Sequence, residues 1–268
     1  AQACYAAAGD IPSDGSPCAD VDVPRFDGSI DFYNSGVIPF DGPAQNRYEL
    51  ELSSDIAPGL YGFYCAVHGP VQRGTIEVVP ADVEIPDPRD VTLRALREID
   101  SEAQGMLEAF EQARDEGVFV AAGSSFRGNF AGLTPGGYEA GGQINEFLPR
   151  DIEADVNEPI TWLMFSGHSI AFDVPEYFPI VEFADDGTVM FNEEIDKPAG
   201  GSPELPEDDP EGPLVIDGGT WDGSGFFSSG TLWSPDHVEY TLRISEPGTY
   251  RYACLIHPPM VGTVVVRG

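Results

Sequence analysis

Hydrophobic and polar residues alternate in short runs along most of this 268-residue chain, and Gly, Pro, Asn and Asp punctuate the runs. Tyr48-Glu49-Leu50-Glu51-Leu52 and Tyr240-Thr241-Leu242-Arg243-Ile244 each turn every second side chain to one face, the pattern of a half-buried strand. Between residues 93 and 113 the period changes. Leu93, Leu96, Ile99, Met106, Phe110 and Ala113 recur at three- and four-residue steps, with Ala103 filling the gap. Asp87-Pro88 is placed to open a helix there and Gly117 to close it. The expectation is an all-β protein of two β-sandwiches, joined by a linker that carries one amphipathic helix or two short ones. The apolar stripe of that helix is expected to dock the two domains.

The strand blocks repeat. Phe26-Asp27-Gly28-Ser29 parallels Ile216-Asp217-Gly218-Gly219, and the Tyr48 strand parallels the Tyr240 strand. Pro58-Gly59-Leu60-Tyr61-Gly62-Phe63-Tyr64-Cys65-Ala66-Val67-His68 parallels Pro247-Gly248-Thr249-Tyr250-Arg251-Tyr252-Ala253-Cys254-Leu255-Ile256-His257. Gly74-Thr75-Ile76-Glu77-Val78 then parallels Gly262-Thr263-Val264-Val265-Val266. Matched blocks in one order predict a duplicated domain. Residues 1–80 form an incomplete, degenerate first copy, 81–117 the Pro-rich linker and helix, and 118–268 the second copy with an acidic insertion at about 175–214. The first copy has no room upstream for the strands that open the second. An incomplete sandwich exposes an edge, and exposed edges recruit strands, so self-assembly through the first domain is one expected mode of partnership.

Composition sharpens this picture mainly through charge. The 31 Gly and 24 Pro suit an all-β chain, while 46 acidic residues against 13 basic give a net charge of −33. Nucleic acid and anionic membrane surfaces repel such a chain and are excluded as partners. A solvated surface of a salt-adapted or secreted protein accounts for the charge, and a basic partner is the alternative. No apolar run has the length to cross a bilayer, so no membrane insertion is expected. The chain opens without a basic and apolar leader, and any signal peptide is expected to have been removed. Cys4 and Cys18 lie close together in a Gly/Ser/Asp/Pro-rich segment and are candidates for a disulfide. That implies an oxidising compartment: secreted, extracellular, or periplasmic and cell-surface.

The chemistry concentrates near the end of the chain. Cys254-Leu255-Ile256-His257-Pro258-Pro259-Met260 offers a thiolate, an imidazole and a thioether from one loop between two strands. Two His, one Cys and a weak, long Met are the ligands of a type 1 (blue) copper site. A second His must come from elsewhere, and His68, His168 and His237 are the candidates. His168 is the natural one, because the apolar strand around Trp162 breaks at Ser166-Gly167, presents the His and resumes at Ile170. His168, Cys254, His257 and Met260 are therefore the expected metal ligands, and His237 is expected at the surface in a turn.

These residues resemble the cupredoxin family, which includes plastocyanin, azurin and amicyanin, and the short Cys-x-x-His-x-x-Met spacing is similar to that of amicyanin-like members. The resemblance covers residues from about 118 to 268. The separation of His168 from Cys254 is longer than small members use, and the insertion accounts for it. The resemblance implies cupredoxin-like Greek-key sandwiches and one type 1 copper per chain. It also implies single-electron transfer through the solvent-facing edge of His257 to a redox protein, basic or a cytochrome. The first copy keeps Cys65 and His68, but the position of Met260 falls on Val71 or Gln72, and no His precedes His68. It is expected to be metal-free, with binding through Cys65, His68 and Gln72 left open.

An enzyme of the multicopper oxidase or nitrite reductase kind needs further copper centres built mostly from His, and four His with no His-x-His pair do not supply them. No Ser/His/Asp set is left over either. Copper storage or delivery, and a structural subunit of an extracellular cell-surface assembly, stand as the alternatives to an electron carrier.

Overall fold

The described N-terminal strands form separate two-stranded ladders, while residues 48–52, expected as a strand, form only an isolated bridge from Leu52 to Phe26. In the computed structural model, β1 (Cys4–Ala6) pairs with β2 (Phe32–Asn34) and β3 (Gly59–Cys65) with β4 (Gly69–Val78), both antiparallel. The structure describes residues 4–6, 25–29, 32–35, 48–66, 69–121, 123–135, 142–175, 178, 180–183, 189–201 and 212–268. Two compact units result, residues 1–86 with Val181–Phe191, and Asp87–Ile180 with Asn192–Gly268. Among the first-unit residues whose burial is described, no hydrophobic side chain is fully buried. Among the described residues, where two sandwiches were expected, the strands make one sandwich in the second unit and two-stranded ladders in the first.

The second unit opens with α1 (Pro88–Glu116), followed by β5 (Val118–Ala121), β6 (Ser124–Arg127), β7 (Asn129–Leu133), β8 (Ile144–Leu148), β9 (Asp151–Asp155), β10 (Ile160–Met164) and β11 (Ala171–Phe172). The short ladder of β12 (Val181–Phe183) and β13 (Val189–Phe191) falls in the first unit. The chain continues through α2 (Glu193–Asp196), β14 (Leu214–Trp221), β15 (Phe227–Ser228), β16 (Val238–Ile244), β17 (Gly248–Ala253) and β18 (Val261–Arg267). Two five-stranded sheets form, in the orders β14-β16-β10-β7-β8 and β15-β11-β17-β18-β9. Alternation fixes which side of each strand is covered. Along β16, Val238, Tyr240, Leu242 and Ile244 are buried, while Glu239, Thr241 and Arg243 are only partly so. Trp162, Met164, Ile216, Phe172, Tyr252 and Val264 from both sheets join them in one core, which is what a sandwich with one apolar face per sheet requires.

The helix lies within the second unit, not in a linker. Its Asp87 side chain caps the Arg89 N–H at 2.8 Å, Pro88 occupies the first turn, and Gly117 closes it in a left-handed conformation (φ 62°). Ala109, Phe110 and Ala113, near its end, pack on Phe119, Phe130, Leu133, Leu148 and Phe165. Toward the start the stripe is unused: Leu96 is 51% and Ile99 60% exposed. Among the described residues no helix is long and apolar enough to cross a membrane.

The two units share local geometry, at a register different from the one expected for the first block. Asp27-Gly28-Ser29 matches Asp222-Gly223-Ser224, five residues beyond Asp217. Asp27 Oδ1 accepts from the Ser29 N–H and hydroxyl at 2.8 and 2.7 Å, and Asp222 Oδ1 from those of Ser224 at 3.0 and 2.8 Å. Phe26 meets Tyr61 edge-on at 5.4 Å, as Trp221 meets Tyr250 at 5.3 Å. The Tyr61 hydroxyl donates to Ala57 O at 2.7 Å and that of Tyr250 to Glu246 O at 3.0 Å, each four residues back. Gly28 (φ 78°) and Gly223 (φ 81°) sit against the rings of Tyr61 and Tyr250 so closely that a Cβ would overlap them. The Asp-Gly-Ser turn, not the Asp-Gly dipeptide alone, carries the likeness.

Candidate metal centre

Two loops at one end of the sandwich build the site. The chain leaves the first sheet at the end of β10, crosses through residues 165–170 and enters the second sheet as β11. His168 is pinned at the crossing, its N–H donating to Leu232 O at 3.1 Å and its carbonyl accepting from the Leu232 N–H at 2.8 Å. The second loop joins β17 to β18. Cys254 N–H donates to Met260 O at 3.0 Å and Met260 N–H to His257 O at 2.8 Å, which closes the turn and turns Cys254 and Met260 into the core.

Three of the four expected ligands converge. Cys254 Sγ lies 3.7 Å from His168 Nδ1 and 3.6 Å from His257 Nδ1, and the two nitrogens are 3.1 Å apart. His168 and Cys254 are fully buried and His257 is half-buried. Burial, with the neighbouring His257 second, holds the His168 imidazole neutral, its pKa lowered to about 3. Burial likewise pushes the Cys254 thiol up, and N–H groups of Ser169, His257 and Ile256 partly offset it. First-row divalent ions take nitrogen at about 2.0 Å and thiolate sulfur at about 2.3 Å, so ligands of one shared ion sit roughly 3–4 Å from each other. The observed spacings fit. Two imidazoles, one of them held neutral by burial, and a thiol that needs a nearby cation to ionise are the donor set of a metal site. Met260, the fourth expected ligand, is fully buried in the same core cluster as Cys254.

Residues that the sequence did not single out hold these groups. Ser166 Oγ is 2.5 Å from His168 Nε2; when Nε2 carries the proton it donates to that hydroxyl, and the Nδ1 lone pair faces Cys254 and His257. Gly132 (φ 71°) backs the same ring edge, and a Cβ there would overlap Nε2. Ser169 ties the two loops together, its N–H 3.4 Å from Cys254 Sγ and its hydroxyl accepting from the Leu255 N–H at 2.8 Å. The insertion contributes too: Ile195 of α2 is fully buried against Ala171 and Leu255.

The remaining candidates lie apart. His237 is not a surface residue; it is 5% exposed and stacks on Phe165 at 5.4 Å, because its turn delivers it to the start of β16 beside that ring. Its Nε2 is 3.3 Å from Glu239 Oε1, while Nδ1, 3.2 Å from Asp236 Oδ1, is not aligned for a hydrogen bond. In the first unit Cys65 is half-buried and Gln72 exposed. His68, Cys18 and most of the acidic run 203–211 lie outside the described residues.

No protein-family model matches the chain, and no curated protein matches it. Solved structures that are similar include a reduced Cu(I) form of an amicyanin variant at pH 4, 18% identical over 44% of this chain and 70% of that one, with a TM-score of 0.23. A purple cupredoxin from Nitrosopumilus maritimus is 20% identical over 46% of this chain and 84% of its own, TM-score 0.23. Oxidised plastocyanin from Dryopteris crassirhizoma is 22% identical over 46% and 90%, TM-score 0.23. Likeness at this level adds no weight to a reading of this chain, whose own site geometry bears it.

Proposed function

We propose that the second unit is a type 1 copper domain of the cupredoxin kind and that the protein is a secreted carrier of single electrons, not an enzyme. His168 Nδ1, Cys254 Sγ and His257 Nδ1 would hold one copper per chain, with Met260 as the weak axial ligand. The observation that carries this reading is the convergence of those three atoms, all within 4.8 Å of one another, at the end of a packed core. Copper in such a set supplies a one-electron couple. The chain's own part is to keep the site closed and fixed. Buried His168 and Cys254 exclude water, Ser169 N–H donates to the sulfur, and Ser166 would accept from the Nε2–H of a His168 that ligates through Nδ1. His257 is left half-buried between Ile256 and the exposed Pro258 and Pro259, so its ring edge is the route outward. An enclosed set with one thiolate suits a resident ion better than delivery. Secretion is supported by the acidic surface and the Cys4/Cys18 spacing.

The oxidised, copper-loaded protein should show an intense thiolate-to-copper band in the visible, one copper per chain, and no change in stoichiometry in His68→Ala. Cys254→Ser should abolish the band while circular dichroism stays native. A colourless protein with copper at full occupancy would overturn the assignment.

A further inference from the structure

The described residues of the first unit repeat the geometry of the closing half of the sandwich. The β3–β4 hairpin has the register of β17–β18: Gly59 faces Val78 as Gly248 faces Val266, and Phe63 faces Gly74 as Tyr252 faces Gly262. Phe26 bridges Leu52 in parallel as Trp221 does Ile244, and Ser53 N–H donates to Phe26 O at 2.9 Å as Ser245 N–H does to Trp221 O at 3.0 Å. Burial is where the likeness stops. Tyr252 is 2% exposed, packed on Phe147, Trp162 and Phe172. Phe63, its counterpart, is 56% exposed, and Ile76 and Val78 are half-buried where Val264 and Val266 are wholly inside.

We propose that this exposed face of Phe63, Ile76 and Val78 closes on the same face of a second copy of the chain, about a twofold axis. A twofold contact uses one patch twice and therefore needs a patch that tolerates itself. In a chain of net charge −33, residues 59–78 carry just Arg73, Glu77 and His68 as titratable charges beyond Tyr and Cys. A copy meets little local repulsion there, and a basic partner would find almost no charge to pair with at the contact itself. The inward face is the one committed to, because its counterparts are the residues that burial claims in the second unit. The proposal does not depend on copper.

Analytical ultracentrifugation of the full chain in 1 M NaCl tests it. The expected result is a mass twice that of the 28.8 kDa chain, with the dimer fraction growing with protein concentration and with salt as long-range repulsion is screened. Phe63→Glu and Ile76→Glu should each weaken association at least 100-fold. Leu60→Glu, on the opposite face and 73% exposed, should not. All three Trp lie in the second unit, so an unchanged tryptophan unfolding transition certifies that these variants leave it folded. A monomer at every concentration, a dimer indifferent to Phe63→Glu and Ile76→Glu, or dissociation by Leu60→Glu alone would each overturn it. So would a monomer whose β3–β4 amides resist hydrogen exchange, since a segment of the same chain would then cover the face.

Discussion

A buried imidazole can ligate through one nitrogen only if the other is satisfied, and Ser166 does this for His168. The hydroxyl 2.5 Å from Nε2 can accept the Nε2–H of a ring that ligates through Nδ1, and Gly132 leaves the ring edge the space to reach it. Without the hydroxyl, an N–H would be left in a dry core at a cost of about 1–3 kcal/mol. Ser166→Ala is therefore expected to destabilise the metal-free protein by that amount and to lower copper affinity about 10–100-fold, with the visible band of the loaded protein retained. Competition against a chelator measures the affinity and a denaturant midpoint the stability; unchanged affinity would remove Ser166 from the site. The grouping of Cys254 with His257 was legible because one short loop carries both, and that of His168 because few histidines compete for its place. Ser166 and Ser169 were not: a serine beside Gly167 reads as a turn residue until the fold points it at a ligand. His237 was misread for the related reason that a Pro-Asp turn looks exposed, and only the Phe165 ring lying over it makes it buried.

At the scale of elements, the strand alternation and the helix caps were readable, and the insertion was not. Four residues with three acids, Glu193–Asp196, look like solvated loop, yet Ile195 is fully buried and Asp196 O accepts from the Thr231 N–H at 3.3 Å. Ile195 packs on Leu255, which follows the thiolate directly, so the insertion props the ligand loop from beneath. Ile195→Ala should cost about 2–5 kcal/mol in the tryptophan-monitored unfolding of the second unit, the range for a buried aliphatic truncated to Ala. A loss below about 1 kcal/mol would mean that the loop stands without it. The helix teaches the converse. Its period was plain in the sequence, but period alone does not say how much of a stripe is used: Ala109, Phe110 and Ala113 join the core cluster and Met106 is half-buried, while Leu96 and Ile99 are exposed.

For the molecule as a whole, charge and the one apolar opening at the site pull in different directions. A chain of −33 draws a basic partner from a distance at low ionic strength, but the reach of that field shrinks from about 10 Å at 0.1 M salt to about 3 Å at 1 M. In brine, the contact itself must carry the encounter. Ile256, Pro258 and Pro259 flank half-buried His257 and present no charge to be desolvated when a partner approaches its ring edge. A carboxylate introduced there meets the partner unpaired, and roughly 1.4 kcal/mol of such a penalty is a tenfold loss in the encounter. Pro259→Asp and Ile256→Asp should therefore slow electron exchange with a small redox partner about tenfold or more, in high salt as well as low. The copper spectrum should remain nearly that of the parent, since neither residue supplies a ligand atom. An aspartate on a distant face should change the rate at low salt alone, through the long-range field. If the two loop variants instead behave like that distant control, losing their effect as salt is added, electrons do not enter beside His257, and the half-buried histidine has some other purpose.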